Sequence, residues 1–239
     1  MSNPTKMSMS NQYDKNQTNT GGRNEPSETK HNGKMQSKRL LAKPEEWKLH
    51  ENKPALFLDR DGVIIKERHY LCEPDKVELH KGAARLIKAH KNKKQAIFVI
   101  TNQSGIGRGL FGWKDYELVT DRLIELLGIE AAPTAIYANG YRPNQGYEKW
   151  RKPNQGMLLE ACKDFKIDLT QSILIGDRLS DLIAGIKAGL KEVIHVATGH
   201  GQSERSMVLE FIKNKYGESH TTSIRLIDDL NQLEEGIDR

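Results

Sequence analysis

Short apolar runs at 55–58, 95–100, 134–138, 172–176 and 192–196 alternate along this chain with stretches of helical periodicity, and that alternation narrows the available folds more than any other feature. Brief apolar runs bounded by glycine and charge predict strands buried on both faces, as in a parallel sheet covered by helices. The helical patterns lie between them, at about 83–90, 114–127, 156–165 and 179–188. Strand–helix–strand order of this kind implies a parallel sheet joined by right-handed crossovers. Beyond residue 198 the pattern predicts a helix over about 203–214, then a further strand and a short helix within 222–233. Ligands of open α/β sheets gather at the carboxyl ends of the strands, so the residues that follow each run are the candidates for function.

The first run ends in Leu58-Asp59-Arg60-Asp61-Gly62, which steps two carboxylates off a strand. A carboxylate there suits a nucleophile and metal ligand: Asp59 would form an aspartyl phosphate, splitting one hard displacement into two easier ones. Asp61 is then placed to protonate the leaving oxygen and later to deprotonate the attacking water. The second run enters Thr101-Asn102-Gln103-Ser104-Gly105-Ile106-Gly107-Arg108-Gly109. Here the Thr101 hydroxyl and the N–H groups of a glycine-rich turn are expected to hold phosphoryl oxygens, with Gly105, Gly107 and Gly109 supplying permissive backbone. Arg108 either reaches a second anionic group or is solvated.

Further on, Arg151-Lys152-Pro153 precedes a helical pattern. Lys152 could neutralise charge on a phosphoryl group in the transition state, and the planar fork of Arg151 could grip a substrate phosphate. The run Ile173-Leu174-Ile175-Gly176-Asp177 ends in a carboxylate on another strand. With Asp59 it would make the oxygen-rich site that Mg²⁺ prefers. Asp181, one helical turn later, either orients Lys152 or a water at the metal, or is a first-turn acid favoured by the helix dipole. His200 in Thr198-Gly199-His200-Gly201 either touches the site or simply ends a strand, the second reading being favoured, and a role for His69 is left open.

Taken together, Phe57-Leu58-Asp59-Arg60-Asp61-Gly62, Thr101-Asn102-Gln103-Ser104-Gly105-Ile106, Arg151-Lys152-Pro153 and Gly176-Asp177 resemble, in order, the four motifs of the haloacid dehalogenase (HAD) superfamily of phosphohydrolases. Within it they look most like the branch of the D-glycero-D-manno-heptose 1,7-bisphosphate 7-phosphatases and histidinol-phosphatases. The resemblance implies a Rossmann-like three-layer α/β fold with a parallel central sheet. It implies Asp59 as nucleophile, Asp61 as acid/base, and Thr101 and Lys152 as stabilisers of the phosphoryl group. Mg²⁺ would be held by Asp59, the Asp61 carbonyl and Asp177. Substrate contacts are expected from Glu67, Arg68, His69, Tyr70, Asn102, Gln103, Ser104, Arg151 and Arg178. The branch carries a zinc loop of three Cys and one His before the Arg-Lys pair, whereas residues 137–150 contain neither residue type, so no zinc is expected.

Residues 1–50 are polar and poor in large apolar side chains, and are expected to form a disordered tail before a phosphatase domain at 51–239. The connection at 63–80 is too long for a minimal loop and predicts a small flap over the site, with no large cap domain. The formal charge of +5 leaves that domain nearly balanced, which argues against a nucleic-acid partner. The two cysteines share no ligand spacing, and no run approaches transmembrane length, so a cytoplasmic protein without a membrane partner is expected; a monomer is expected as well. A small phosphorylated sugar is the expected substrate. Histidinol phosphate, 3'-phosphorylated nucleic-acid ends and a non-catalytic binding module on the same fold are the alternatives.

Overall fold

The computed structural model describes residues 29–31, 34–41, 48–144, 149–215 and 221–233. Among these residues eight strands, numbered in chain order from β1 (Thr29–His31) and β2 (Lys34–Leu40) through β3 (Ala55–Leu58), β4 (Ala96–Asn102), β5 (Ala135–Asn139), β6 (Ile173–Gly176) and β7 (Glu192–Val196) to β8 (Ser223–Ile227), form one sheet in the order β1-β2-β5-β4-β3-β6-β7-β8. The six strands β3 to β8 run parallel. From β3 the chain builds outward through β4 and β5 on one side, then returns to build β6, β7 and β8 on the other. The order therefore reverses between β3 and β6, and a parallel sheet opens its crevice at such a point.

Helices cover both faces. Leu56, Leu58, Ile97, Val99, Ile136 and Ile175 pack with Leu86 and Ile87 of α1 (Ala83–Asn92) and with Val119 and Leu123 of the helix Trp113–Leu127. Alternate residues Phe57, Phe98, Ile100, Tyr137 and Leu174 face the other way. They meet Met157, Leu158, Ala161 and Phe165 of the helix Gly156–Phe165 and Leu182 of the helix Leu179–Lys187. The period-two split of single strands between two apolar layers is what makes their sequences read as unbroken apolar runs.

Two expectations are corrected. Part of the polar N-terminal segment belongs to the sheet: β1 (Thr29–His31) and β2 (Lys34–Leu40) form an antiparallel pair, and β2 lies antiparallel to β5 with Ser37 opposite Asn139. Strands held by main-chain hydrogen bonds at the margin of a sheet need few apolar residues, which is why composition alone hid them. Residues 1–28, 32–33 and 42–47 of the expected tail lie outside the described residues. The glycine-rich turn after β4 is instead a short helix, α2 (Ser104–Arg108). Its glycines serve close packing: a Cβ on Gly105 would sit 2.2 Å from Phe111 Cε1, and one on Gly107 2.5 Å from the Gly140 carbonyl oxygen. With α2 counted, the Trp113–Leu127 helix is α3, Gly156–Phe165 is α4, Leu179–Lys187 is α5 and Gly201–Lys215 is α6.

The flap expected at 63–80 is present as a small ribbon. Val63, Ile64 and Ile65 are fully buried beneath it, while Lys66 N–H donates to the Glu78 carbonyl and His80 N–H to that of Ile64. Its tip carries residues 67–72 across the carboxyl ends of the strands.

Candidate active site

A cavity of about 700 Å³ opens at the β3/β6 reversal point, lined by strand ends, the flap and the start of α6. Asp59, directly after β3, lines it, and Asp177, directly after β6, and Asp181 from α5 lie beside Asp59 without lining it. Oxygens of these three buried carboxylates all lie within 4.8 Å of one another. Asp177 is pinched by backbone: a Cβ on Gly62 would fall 2.2 Å from its Oδ2, and one on Gly199 2.4 Å. Both glycines have positive φ, +82° and +58°, so the close approach uses their missing side chains and their left-handed backbone together. Asp177 Oδ2 accepts the His200 N–H at 2.7 Å, whereas its Oδ1 is buried without a hydrogen-bond partner.

Crowding and burial act on the carboxyls of Asp59 and Asp177. Burial pushes the Asp59 carboxyl up to about 7 against the pull of Lys152, and burial with Asp59 and Asp181 nearby pushes Asp177 up to about 9. A cage of buried oxygens with excess negative charge and an orphaned acceptor fits a hard divalent cation such as Mg²⁺.

Lys152 supplies the counter-charge already present. Its Nζ lies 2.9 Å from Asp59 Oδ1 and 2.7 Å from Asp181 Oδ1, and donates to the Ile100 carbonyl at 2.9 Å. Of the two roles open for Asp181, the structure realises both: it orients Lys152, and it caps the first turn of α5 by accepting the Arg178 N–H at 3.0 Å. Asn102 spends both ends of its amide on the Lys152 backbone, at 3.1 and 3.2 Å, tying the loop before α4 to the end of β4. Arg151 donates to the Tyr141 carbonyl at 3.0 Å and still borders the cavity.

On the other side of Asp59, the Asp61 carboxylate is held by a fork. Arg60 Nε and Nη2 each donate to one of its oxygens at 3.0 Å. Gln103 Nε2 donates to Asp61 Oδ2 at 2.9 Å and to Thr101 Oγ1 at 2.8 Å, so Thr101, Gln103, Arg60 and Asp61 form one connected cluster.

The expected catalytic and substrate-contact residues all border this cavity, while Asp177 and Asp181 do not line it but lie beside Asp59, and Gly107 and Gly109 are not among the lining residues. Arg68 is paired with Glu78 at the exposed rim, and Arg178 with Glu204 at 3.0 Å. Arg108 is exposed and is not among the lining residues. His200 does more than end a strand: its N–H meets Asp177, and its Nε2 lies 3.4 Å from Glu67 Oε1. Arg60, Glu204, Met207 and Asn144 also line the cavity without having been singled out. Residues 145–148 of the loop expected to lack zinc lie outside the described residues.

The comparisons with known proteins agree with this geometry. The HAD-hydrolase-like family matches residues 149–216. A D-glycero-alpha-D-manno-heptose-1,7-bisphosphate 7-phosphatase of Photorhabdus laumondii is 37% identical over 164 residues, 65% of this chain and 88% of the relative. A D-glycero-beta-D-manno-heptose-1,7-bisphosphate 7-phosphatase of Helicobacter pylori is 40% identical over 139 residues, 57% of this chain and 80% of the relative. The D,D-heptose 1,7-bisphosphate phosphatase of B. bronchiseptica, solved with magnesium and phosphate, superposes with a TM-score of 0.64 at 26% identity, over 76% of this chain and 98% of that one. With these relatives, this fold and these carboxylates, the chain belongs to the HAD superfamily of phosphatases, hydrolases of phosphoric monoesters.

Proposed function

We propose that this enzyme removes the 7-phosphate of D-glycero-D-manno-heptose 1,7-bisphosphate. The observation that carries the substrate is the identity of 37 to 40% with phosphatases named for that compound, across most of their length. Those relatives favour it over histidinol phosphate and over 3'-phosphorylated nucleic acid.

In this reading the Asp59 carboxylate attacks phosphorus as the ester P–O bond breaks, while the proton on Asp61 passes to the departing alkoxide. Asp61 then takes a proton from water, whose oxygen bonds to phosphorus as the P–O bond to Asp59 breaks. Both carboxyl groups return to their starting states. Thr101 and Lys152 hold the phosphoryl oxygens, and the ammonium offsets charge in a cavity that water screens poorly. Asp59, Asp177 and the Asp61 carbonyl would hold Mg²⁺, which when bound supplies positive charge against the transferring group. We assign Asn102 to holding the Lys152 loop. Glu67, His69, Tyr70 and Ser104, with Arg68, Arg151 and Arg178, form the wall that meets the sugar and its second phosphate, and Gln103 steadies Thr101 and Asp61.

We further infer a cytoplasmic enzyme that needs no zinc. Both cysteines are free thiols, no helix among the described residues is long and apolar enough to cross a membrane, and 137–150 offers no Cys or His ligand. The test is phosphate release with Mg²⁺ from both anomers of the heptose bisphosphate, histidinol phosphate and a 3'-phosphorylated oligonucleotide, with Asp59→Asn as blank. Preference for either anomer supports the reading, and preference for another compound moves the substrate.

A further inference from the structure

Arg60 sits between the two reactive carboxylates and is only 1% exposed. Arginine is seldom buried unless held by partners. Its guanidinium lies 5.0 Å from the ring centroid of Tyr116, itself fully buried on α3. On that platform the fork grips both Asp61 oxygens, and Nη2 also donates to Gln103 Oε1 at 3.1 Å. Gln103 closes the ring by donating back to Asp61 Oδ2. Nη1 is buried without a hydrogen-bond partner.

A purely structural arginine at this position would sit best where all its donors are satisfied. This one leaves a donor unmatched in order to place its fork squarely on one carboxylate, whose side chain remains 20% open to the cavity. A bidentate pair fixes the plane of the carboxylate as well as its position, which a point charge cannot do. The geometry points to Arg60, seated on Tyr116 and latched by Gln103, as the positioning residue that aims Asp61 at the leaving oxygen. This inference rests on the acid/base role proposed for Asp61. It adds a shell that decides whether that proton is delivered on line, because small errors of placement are costly in proton transfer.

The consequence is a dependence on the leaving group. An alkoxide needs the Asp61 proton in order to depart, whereas p-nitrophenolate departs without one. For kcat/KM, which stops at phosphorylation of Asp59, a misaimed acid should matter for the first and not for the second. The experiment compares Arg60→Met, Arg60→Lys, Gln103→Ala and Asp61→Asn on the heptose bisphosphate, or the fastest alkyl phosphate of the panel, and on p-nitrophenyl phosphate.

Arg60→Met should lose about a hundredfold on the alkyl ester and no more than about threefold on the aryl ester, the scale of a displaced general acid. Arg60→Lys should lie between Arg60→Met and the parent, and Gln103→Ala should lean the same way by a smaller ratio. Equal losses on both esters for the Arg60 and Gln103 variants, with Asp61→Asn still selective, would overturn the positioning role and leave the acid/base assignment standing. Equal losses for Asp61→Asn itself would overturn that assignment and this inference with it. If Arg60→Met fails to fold, the ratio for Gln103→Ala alone decides.

Discussion

The Lys152 ammonium lies 2.9 Å from Asp59 Oδ1, an ion pair made where both side chains are almost closed to solvent. The same ammonium reaches Asp181, which is fully buried. Removing one partner of a buried pair leaves the other charge uncompensated, at a cost of about 3–5 kcal/mol. Lys152→Met should therefore lower the melting temperature sharply and reduce kcat by at least about a hundredfold, since it also removes charge from the transition state. Adding Asp181→Asn should recover much of the stability and none of the rate. Recovery of rate in the double variant would show that Lys152 acts only through folding.

The raised Asp59 and Asp177 carboxyls make a prediction about metal removal. A carboxyl whose folded-state pKa exceeds its unfolded value favours the folded state in its protonated form, so its contribution is complete below the unfolded pKa and is lost as pH rises through the folded one. For Asp59 the window runs from 3.8 to about 7, and for Asp177 it extends to about 9. In EDTA, Asp59→Asn should melt higher than the parent by a margin that widens from pH 5 to pH 8. Saturating Mg²⁺ should shrink that margin by binding the parent's carboxylates. A margin that stays flat with pH in EDTA would show that these acids are not crowded as described.

Glu67 is the flap's acid. Burial, then Asp61 and Asp59, push its carboxyl up to about 7, and His200 faces it. Below that pH it is neutral and can donate to a substrate oxygen; above it, an added negative charge opposes an incoming phosphate. KM for a phosphate ester should rise with pH across neutrality while kcat changes little, and Glu67→Gln should flatten that rise. The check is a set of KM values from pH 6 to 8.5 for both proteins.

The nucleophile, the acid/base, Lys152 and the second carboxylate were legible because each follows a strand signalled by its own apolar run, and chemistry at strand ends needs only local sequence to be seen. Arg60 was passed over although it lies between two such residues, because its role depends on Tyr116, 56 positions away, offering a ring face. The short helix α2 was hidden by glycines that read as a loop, since the need for glycine came from Phe111 and Gly140, contacts no local pattern reveals. Strand β2 was hidden for a related reason: its hold on the domain is hydrogen bonding and charge, and polar composition reads as tail.

That hold makes the last prediction. Ser37 pairs with Asn139 across the sheet edge, and the Asn139 carbonyl accepts the Gln103 N–H at 2.6 Å, so β2 braces the strand end on which the Asp61 latch rests. Lys38 pairs with Glu117, and Arg39 with Asp164, whose carboxylate also accepts the Tyr137 hydroxyl at 2.9 Å. Both basic side chains are largely covered, so each pair is worth more than an exposed one, about 1 kcal/mol. Arg39→Ala should lower stability by about that much and leave kcat near its parent value. Deleting residues 1–41 should cost several times more and bare the β5 edge, an invitation to strand pairing between molecules. Kinetics should then separate the two effects: if β2 braces the site, the truncated monomer loses rate on an alkyl phosphate and recovers it when a peptide spanning residues 34–41 is added. An unchanged rate in a stable, monomeric truncation would confine β2 to covering the edge.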